Sequence, residues 1–393
     1  MQKKVIALAV AALASSAAFA QTNVTVYGVV DVGQAFVKSS GSSVADTNQG
    51  TVGRLDNNSS YIGFKGVEDL GNGLKAVFQY ESNFAADTAG AVAGGRDTFI
   101  GLTGGFGTVV AGTLTHPLRA MGAKVELTPG AAGFGTMSSL TGTIAGFQTG
   151  ADNRAQNAIA YVSPSFSGFS ATVAYVNGEQ KTNGNQAVIS STGATVVGPD
   201  VTSRAYQIAA QYDNGPLWVA AGYHKSKEQG IGLSSSVPTS TATIALDGQD
   251  ARVYRLAAAY TFPTKTKVTA LYDNTKVDQL FGDGGFVVKR NAFSLGVAQE
   301  IGKNTIGLEY GRAGKLKVDG ESQDETKANI WTAVYSYALS KRTQVHARYS
   351  RLSNDNDSNT NFYLNPVAGN GAPTQNAAGA NYTGYMVGLR HAF

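Results

Sequence analysis

The chain of 393 residues contains 48 glycines and no cysteine, and 31 lysines and arginines nearly balance 27 aspartates and glutamates, for a formal net charge of +4. The lack of cysteine excludes disulfide frameworks, thiolate metal sites and cysteine nucleophiles, and the small charge argues against nucleic-acid binding. Charged residues make up 15% of the chain, well below the roughly 25% of soluble domains, which disfavours an ordinary soluble enzyme.

Residues 1–20 have the pattern of a secretory signal peptide. Lys3 and Lys4 precede an apolar run, and small residues end the segment at Ala18-Phe19-Ala20. The apolar run is shorter than the roughly 20 residues that a membrane helix needs, and the small-residue ending suits a signal peptidase. We therefore expect cleavage before Gln21, which leaves residues 21–393 as one domain.

The rest of the chain repeatedly alternates apolar and polar residues with a period of two, which predicts β-strands. In one example Leu74, Ala76, Phe78 and Tyr80 alternate with Lys75, Val77, Gln79 and Glu81. Similar alternation recurs through the chain up to its last residues. Each predicted strand therefore has one face suited to lipid or a core and one suited to water.

Short and long connections alternate between these segments. Seven short connections carry turn residues, at 68–73, 104–107, 164–168, 213–216, 262–265, 300–304 and 339–342. Eight longer polar stretches lie between them, near 38–58, 82–95, 113–153, 178–202, 228–249, 277–288, 314–327 and 353–381. Fifteen connections join sixteen strands, and this asymmetry of turns and loops is typical of an all-β transmembrane antiparallel barrel. Such a barrel satisfies every backbone polar group within its closed sheet.

The alternative is a water-soluble β-solenoid or β-sandwich with one buried face per strand. The polar residues of the inferred inner face, such as Lys75, Gln344 and Arg348, would lose their hydration in a dry interior. A sixteen-stranded barrel encloses water instead. The sequence therefore favours the barrel.

Five collinear segments carry a family resemblance: Val24–Asp31, Ile62–Tyr80, Arg96–Gly107, Asn157–Gly168 and Val387–Phe393. Together they resemble the general porins of Gram-negative outer membranes, and most closely the betaproteobacterial subgroup. The resemblance implies a sixteen-stranded homotrimeric barrel with its third loop folded into the lumen. It also implies passive diffusion of small hydrophilic solutes and ions, contact with outer-membrane lipid and lipopolysaccharide, and no cofactor. A channel that prefers one substrate, on the same barrel, is the alternative.

The last strand ends in an aromatic residue. Counting back from Phe393, the residues on its face are His391, Leu389, Val387 and Tyr385. In porins a C-terminal aromatic is the signal that the barrel-assembly machinery reads, and the resemblance assigns that role to Phe393.

A diffusion channel filters solutes by the width and fixed charges of a water-filled constriction. On one predicted strand, Ile62 and Phe64 are assigned to the lipid side, which turns Tyr61 and Lys65 towards the lumen. On another, Phe99 is assigned to the lipid side, which turns Arg96, Thr98 and Ile100 towards the lumen. The basic candidates for the constriction are therefore Arg96, Arg154, Lys65, Lys75 and Arg54. For each of them a solvated position at the barrel rim is the alternative.

The third loop, 113–153, is rich in glycine and alanine, which suits close packing against an inner wall. Its only carboxylates are Glu126 and Asp152, so Glu126 is the candidate for the acidic side of the constriction. Arg119 and Lys124 lie beside it in sequence, and an ion pair with one of them is the alternative. Many porins have arginines where this chain has Thr113 and Ala160, so anion or cation preference stays open.

The sequence is less consistent with three other functions. Asp355 and Asp357 begin a calcium-loop pattern, but Thr360 and Pro366 replace the glycine and glutamate that an EF-hand requires, so no metal site is predicted. A serine near His346 would be the seed of an outer-membrane hydrolase, but no motif supports catalysis and we expect no enzyme. Adhesion through the long outer loops is a further alternative.

Overall fold

The computed structural model describes residues 23–43, 47–87, 93–144, 146–182, 187–189, 195–197, 201–227, 232–233, 249–280, 285–367 and 378–393. The predicted leader, residues 1–20, lies outside the described residues. Within the described part of the chain, no helix has the length and hydropathy needed to cross a membrane.

Sixteen antiparallel strands form one sheet in the described residues. They are β1 Asn23–Ser40, β2 in two segments Val52–Asn57 and Tyr61–Gly71, β3 Leu74–Asn83, β4 Ala93–Gly104, β5 Gly107–Thr115, β6 Arg154–Val162, β7 Phe169–Thr182, β8 Val201–Asn214, β9 Leu217–Lys227, β10 Asp250–Thr261, β11 Thr266–Leu280, β12 Phe286–Ile301, β13 Asn304–Ala313, β14 Ala328–Ala338, β15 Thr343–Asn354 and β16 Asn381–Ala392.

The sheet closes on itself because β16 pairs with β1 in register from Val29↔Ala392 to Ser40↔Asn381. Closure leaves no free edge, so every strand has two hydrogen-bonded neighbours. The fold class predicted from the sequence is confirmed, including the seven short turns at one end of the barrel and the longer loops at the other.

The period-two pattern separates an outer apolar face from an inner face. On β10, Tyr254 and Leu256 point outward and are 54% and 56% exposed, whereas Val253 and Arg255 point inward and are fully buried. The inward arginine is buried because the lumen beside it is filled by another part of the chain.

The third loop, between β5 and β6, is folded into the barrel as predicted. It begins with the helix α1, Pro117–Val125, which starts at a proline that suits the first helical turn. The helix packs its apolar face, with Leu118 and Met121, against Gly222 of β9. A Cβ atom at Gly222 would lie 2.8 Å from Leu118 and 2.9 Å from Met121, so this wall position has room only for glycine.

One predicted orientation on β4 is wrong. Phe99 faces the lumen, packed beside Val77, and Ile100 faces outward with 68% of its surface exposed. Arg96 still reaches the lumen because the pairing with β3 shifts from Tyr80↔Thr98 to Ser82↔Gly95. This β-bulge adds one residue to β4 and reverses the alternation at that point.

The C-terminal residue completes the barrel seam. The backbone N–H and C=O of Phe393 exchange hydrogen bonds with Gly28 of β1 at 3.1 and 3.2 Å. The ring of Phe393 lies over Gly28, where a Cβ atom would approach it to 2.5 Å. The predicted outward face of β16 is confirmed by Tyr385, Val387 and Leu389, which are all at least half exposed.

We predict that Phe393→Ala reduces the amount of folded barrel in the outer membrane several-fold. The change removes both the proposed assembly signal and the ring that covers the seam. Heat-modifiable electrophoretic mobility of membrane fractions measures the folded barrel. The matched control is Phe166→Ala at an exposed turn, which should assemble normally; equal assembly of both variants would contradict the role of Phe393.

Candidate pore constriction

A cavity of about 140 Å³ lies between the wall of β2, β4 and β6 and the inner face of the third loop. Four arginines line it: Arg96 and Arg154 from the wall, Arg119 from α1 and Arg390 from β16. The other lining residues are small or uncharged, namely Asn58, Ser59, Tyr61, Thr115, Ala120, Ala123, Gly130 and Ala131. No carboxylate is among these lining residues, so the cavity is surrounded by positive charge.

Arg96 is held on the wall by ion pairing and by an aromatic ring. Its Nε atom donates to Glu81 at 2.8 Å, and its guanidinium lies 4.0 Å from the ring centre of Tyr61. The hydroxyl of Tyr27 donates to the other oxygen of Glu81 at 2.8 Å. The carboxylate and the ring together fix the orientation of the Arg96 guanidinium at the wall.

Arg154 is held in a similar way at the start of β6. Its Nε atom donates to Asp97 at 2.9 Å, and the hydroxyl of Thr115 donates to the same carboxylate at 2.7 Å. Asp97 lies two residues from the inward Phe99 and faces the lumen by ordinary alternation, whereas the bulge turns Arg96 inward. β4 therefore presents Arg96 and Asp97, two neighbours in sequence, to the same side.

Arg390 was missed by the sequence reasoning, although it lies between the outward Leu389 and His391 and must point inward by alternation. It donates to Asp31 at 3.1 Å, and His346 Nε2 lies 3.0 Å from the other oxygen of that buried carboxylate. Asn58 donates to the same oxygen as His346, at 2.9 Å. His346 is therefore part of the support for a lumen arginine.

Arg119 projects from α1 towards the wall arginines. It donates to the backbone carbonyl of Asp152, and it also interacts with Tyr363 of the eighth loop. Burial raises the pKa of the Tyr363 phenol, and the nearby positive charge of Arg119 opposes this rise. Among the four arginines, Arg119 is the one without a hydrogen bond to a carboxylate in the described structure.

Lys65 and Lys75 lie nearer the short turns, along a larger cavity of about 770 Å³. Both are exposed to the lumen, and the ammonium of Lys65 lies 4.9 Å from the ring centre of Tyr27. The wall between them is partly apolar, with Phe99 and Ala160 among the lining residues. The two lysines therefore lie below the arginine-lined cavity, towards the end with the short turns.

Glu126 is absent from the lining of the four-arginine cavity. Its carboxylate accepts hydrogen bonds from the backbone N–H of Met137 at 2.8 Å and from the hydroxyl of Thr128 at 3.1 Å. It lines a second small cavity between the loop and the wall, together with Arg119 and Glu309 of β13. In the described residues Glu126 has no ion pair with Arg119 or Lys124, and it shares a cavity with only one of the four arginines.

Arg54 and Lys124 also lie outside the lining of the cavity. Arg54 pairs with Asp56 at 2.8 Å and donates to the carbonyls of Asn365 and Pro366, so it ties β2 to the eighth loop. Lys124 lies 3.4 Å from Asp213, with both side chains about half exposed.

A buried ion-pair network fixes the third loop to the wall. Arg255 of β10 donates to Asp152 of the loop at 2.6 and 2.7 Å and to Asp273 of β11 at 2.7 Å through each of two nitrogens. Asp273 in turn accepts from the backbone N–H of Gly142, and Arg255 also donates to the carbonyl of Leu118. One guanidinium thus joins the beginning, middle and end of the loop to two strands.

Further wall side chains reach the carbonyls of the loop. Arg348 of β15 donates to Ala132 and Phe134 at 2.7 and 2.8 Å, and Arg290 of β12 donates to Thr143. At the start of the loop, His116 Nδ1 lies 2.8 Å from the carbonyl of Gly150, and burial lowers the pKa of this imidazole. The imidazole is neutral at pH 7 and donates to that carbonyl.

Comparisons with known proteins agree with this geometry. A model of the Gram-negative porin family matches residues 7–357. Outer membrane porin protein 32 of Delftia acidovorans is 32% identical over 399 residues, which cover 100% of both chains. The chain is a Gram-negative porin. A major outer membrane protein P.IB of Neisseria gonorrhoeae is 27% identical over 358 residues, and the aligned region covers 88% of this porin and 92% of the relative.

Among solved structures, the anion-selective porin from Comamonas acidovorans is 28% identical to this porin, with a TM-score of 0.71 over 95% of this chain and 100% of the other. The porin lies in the outer membrane and forms a water-filled channel. Small hydrophilic solutes and ions diffuse through it and are filtered by size and by charge.

We predict that Arg255→Met loosens the third loop of the porin. The change leaves Asp152 and Asp273 as two buried carboxylates without their shared cation, which costs about 3–5 kcal/mol. We expect noisier single-channel current and faster tryptic cleavage after Arg119 and Lys124. Single-channel recording in a planar bilayer and timed proteolysis measure the two effects.

The matched control is Lys265→Met at a short turn. Lys265 pairs with Glu300 at 2.7 Å, with side chains 62% and 47% exposed, so its loss should have little effect. Quiet current and protease resistance in the Arg255 variant would show that the loop does not depend on this network.

Proposed function

We propose that this porin passes small anions in preference to cations. The observation that carries the proposal is the cavity of about 140 Å³ with four arginines and no carboxylate among its lining residues. Arg96, Arg119, Arg154 and Arg390 form the constriction in this assignment. Glu126, Arg54 and Lys124 lie outside it.

The partner carboxylates leave a net positive charge at the constriction, because four guanidinium groups are matched by three carboxylates. Glu81, Asp97 and Asp31 each engage one arginine, but they are absent from the lining, and Arg119 has no such partner in the described structure. A fixed positive charge in a narrow pore with a low-dielectric wall attracts anions and repels cations over several ångströms. Guanidinium groups also match the planar oxygen pairs of carboxylates and phosphates.

The larger cavity does not add to the preference. Lys65 and Lys75 are exposed in the lumen between the arginines and the short turns, but Asp69 and Asp97 line the same cavity, so its charges balance. The Comamonas protein, whose name describes it as anion-selective, shares 28% of the sequence and the fold. This likeness supports the same preference here.

We also propose the remaining features, which membership of the family and the sequence pattern support. The barrel acts as a passive channel without catalytic activity and without a cofactor, and it assembles as a homotrimer. Phe393 is the residue that the barrel-assembly machinery reads, and residues 1–20 are removed on export. His346 supports the passive assignment, because its side chain is fully buried and no substrate can reach its imidazole.

We predict that Arg154→Gln shifts the channel towards cations. The change removes one positive charge at the constriction and leaves the charge of Asp97 unpaired beside the lumen. A unit charge about 5 Å from a permeating ion contributes on the order of 1 kcal/mol even at the dielectric constant of water. We therefore expect at least a several-fold change in the permeability ratio. Reversal potentials in a KCl gradient measure it.

Lys124→Gln removes the same charge outside the cavity and is the matched control. It should leave the reversal potential close to that of the wild type. An unchanged potential in the Arg154 variant, or an equal shift in both variants, would reject the arginine constriction.

We predict that the exported protein begins at Gln21. The small residues at positions 18 and 20 define the peptidase site. Intact-mass measurement of the protein purified from outer membranes tests this, and a mass that includes residues 1–20 would contradict it.

A further inference from the structure

An unbroken apolar row crosses the inner face of five neighbouring strands, on the side of the arginine-lined cavity that leads to the short turns. The register joins Val77 of β3 to Gly101 of β4, Gly101 to Val110 of β5, Val110 to Ala160 of β6 and Ala160 to Ala174 of β7. Neighbouring strands are about 4.8 Å apart, so the row extends over about 19 Å of the wall. No charged or hydrogen-bonding side chain interrupts it.

Two larger apolar side chains complete this surface. Phe99 lies two residues from Gly101 on the inner face of β4, and Leu114 lies near the end of β5. Both belong to the same apolar cluster as the row, and Phe99 keeps part of its surface exposed. The members of this surface that line the cavity of about 770 Å³ are called the apolar wall, namely Val77, Phe99, Val110, Leu114 and Ala160.

An apolar surface is unusual where a barrel encloses water. The inner face of such a barrel is normally polar, and an apolar patch with a polar rim marks a place where a ligand binds. Polar side chains surround the apolar wall in the same cavity, among them Lys65, Gln79, Thr108 and Thr172. Pockets for small molecules have the same composition, with mostly apolar walls and a few polar groups.

The net positive charge lies at one end of this surface. The two lysines and two aspartates that line the larger cavity balance each other. The four-arginine cavity begins at Thr115, which lines both cavities. An anion with an apolar body therefore has a single favourable orientation, with its charge towards the arginines and its body against the apolar wall.

Arg154 connects the two cavities. It lines the four-arginine cavity, and its Nε atom donates at 2.9 Å to Asp97, which lines the larger one. The hydroxyl of Thr115 donates to the same carboxylate at 2.7 Å. Within the described residues the terminal nitrogens of Arg154 make no hydrogen bond to the protein. They are therefore available to a ligand carboxylate, which pairs with a guanidinium through two parallel hydrogen bonds.

We propose that the channel prefers aryl carboxylates to hydrophilic anions of the same charge. The carboxylate contacts the arginines of the constriction, and the ring lies on the apolar wall. This substrate class rests on the proposed anion preference and makes it more specific. A hydrophilic anion gains only the charge interaction, whereas an aryl carboxylate also removes apolar surface from water. The wall is open to the lumen, so the anion still leaves, as conduction requires.

The test compares benzoate, acetate and benzyl alcohol on the purified porin in a planar bilayer. Each probe is titrated at constant ionic strength, and the concentration that halves the single-channel KCl current gives its apparent affinity. Burial of about 60 Å² of apolar surface corresponds to about a tenfold gain in affinity. We therefore expect benzoate to act at a concentration about tenfold lower than acetate. Benzyl alcohol, which has the ring without the charge, should require a far higher concentration than benzoate.

The variant Val77→Thr with Val110→Thr makes the apolar wall polar. Each change replaces a methyl group by a hydroxyl group of similar size and leaves the fixed charge of the pore as it is. We expect the ratio of benzoate affinity to acetate affinity to fall several-fold. Phe99→Gln, at a partly exposed position, is a second, independent variant that should lower the same ratio. Heat-modifiable mobility shows that each barrel is folded.

The matched control is Val29→Thr with Val334→Thr. Both valines are buried on the inner face, but neither lines the two cavities. This variant should keep the wild-type ratio. An equal fall of the ratio in the control and in the wall variant would overturn the proposal.

The wild type alone also decides the question. Equal affinities for benzoate and acetate would overturn the substrate class, and so would an unchanged ratio in both wall variants. The reversal potential in a KCl gradient, measured on the same channels, tests the anion preference separately. An anion-selective channel that does not distinguish benzoate from acetate rejects only the substrate class, whereas a channel without anion selectivity rejects the proposed function.

Discussion

The position of the third loop is the constraint on which the pore depends. A sixteen-stranded barrel is wide enough to leave an aqueous lumen, so selectivity requires something that narrows it. Arg255, buried between Asp152 and Asp273, provides the central attachment of that loop to the wall. Its charge is balanced by two carboxylates from different parts of the chain, so the ion pairs form only when the loop lies against β10 and β11.

The attachment explains where the channel runs. Wall arginines on β10, β12 and β15 hold loop carbonyls, and α1 packs against β9, so this side of the lumen is filled. The open path is left between α1 and the strands β2 to β6. Basic residues therefore have two different roles in one barrel: some bind the loop and others line the path.

The sequence by itself determined the barrel, because period-two alternation and the order of turns and loops depend only on which residues neighbour each other along the chain. It also named Arg96 and Arg154 as pore candidates from their places on predicted strands, and Arg119 from its place on the third loop. Only the tertiary structure decided the direction of Phe99, because a single extra residue in β4 reverses an alternation that sequence reasoning carries forward unchanged. The fate of Glu126 and the role of Arg255 were likewise decided by how a folded loop meets strands more than a hundred residues away, and no local pattern encodes such a contact.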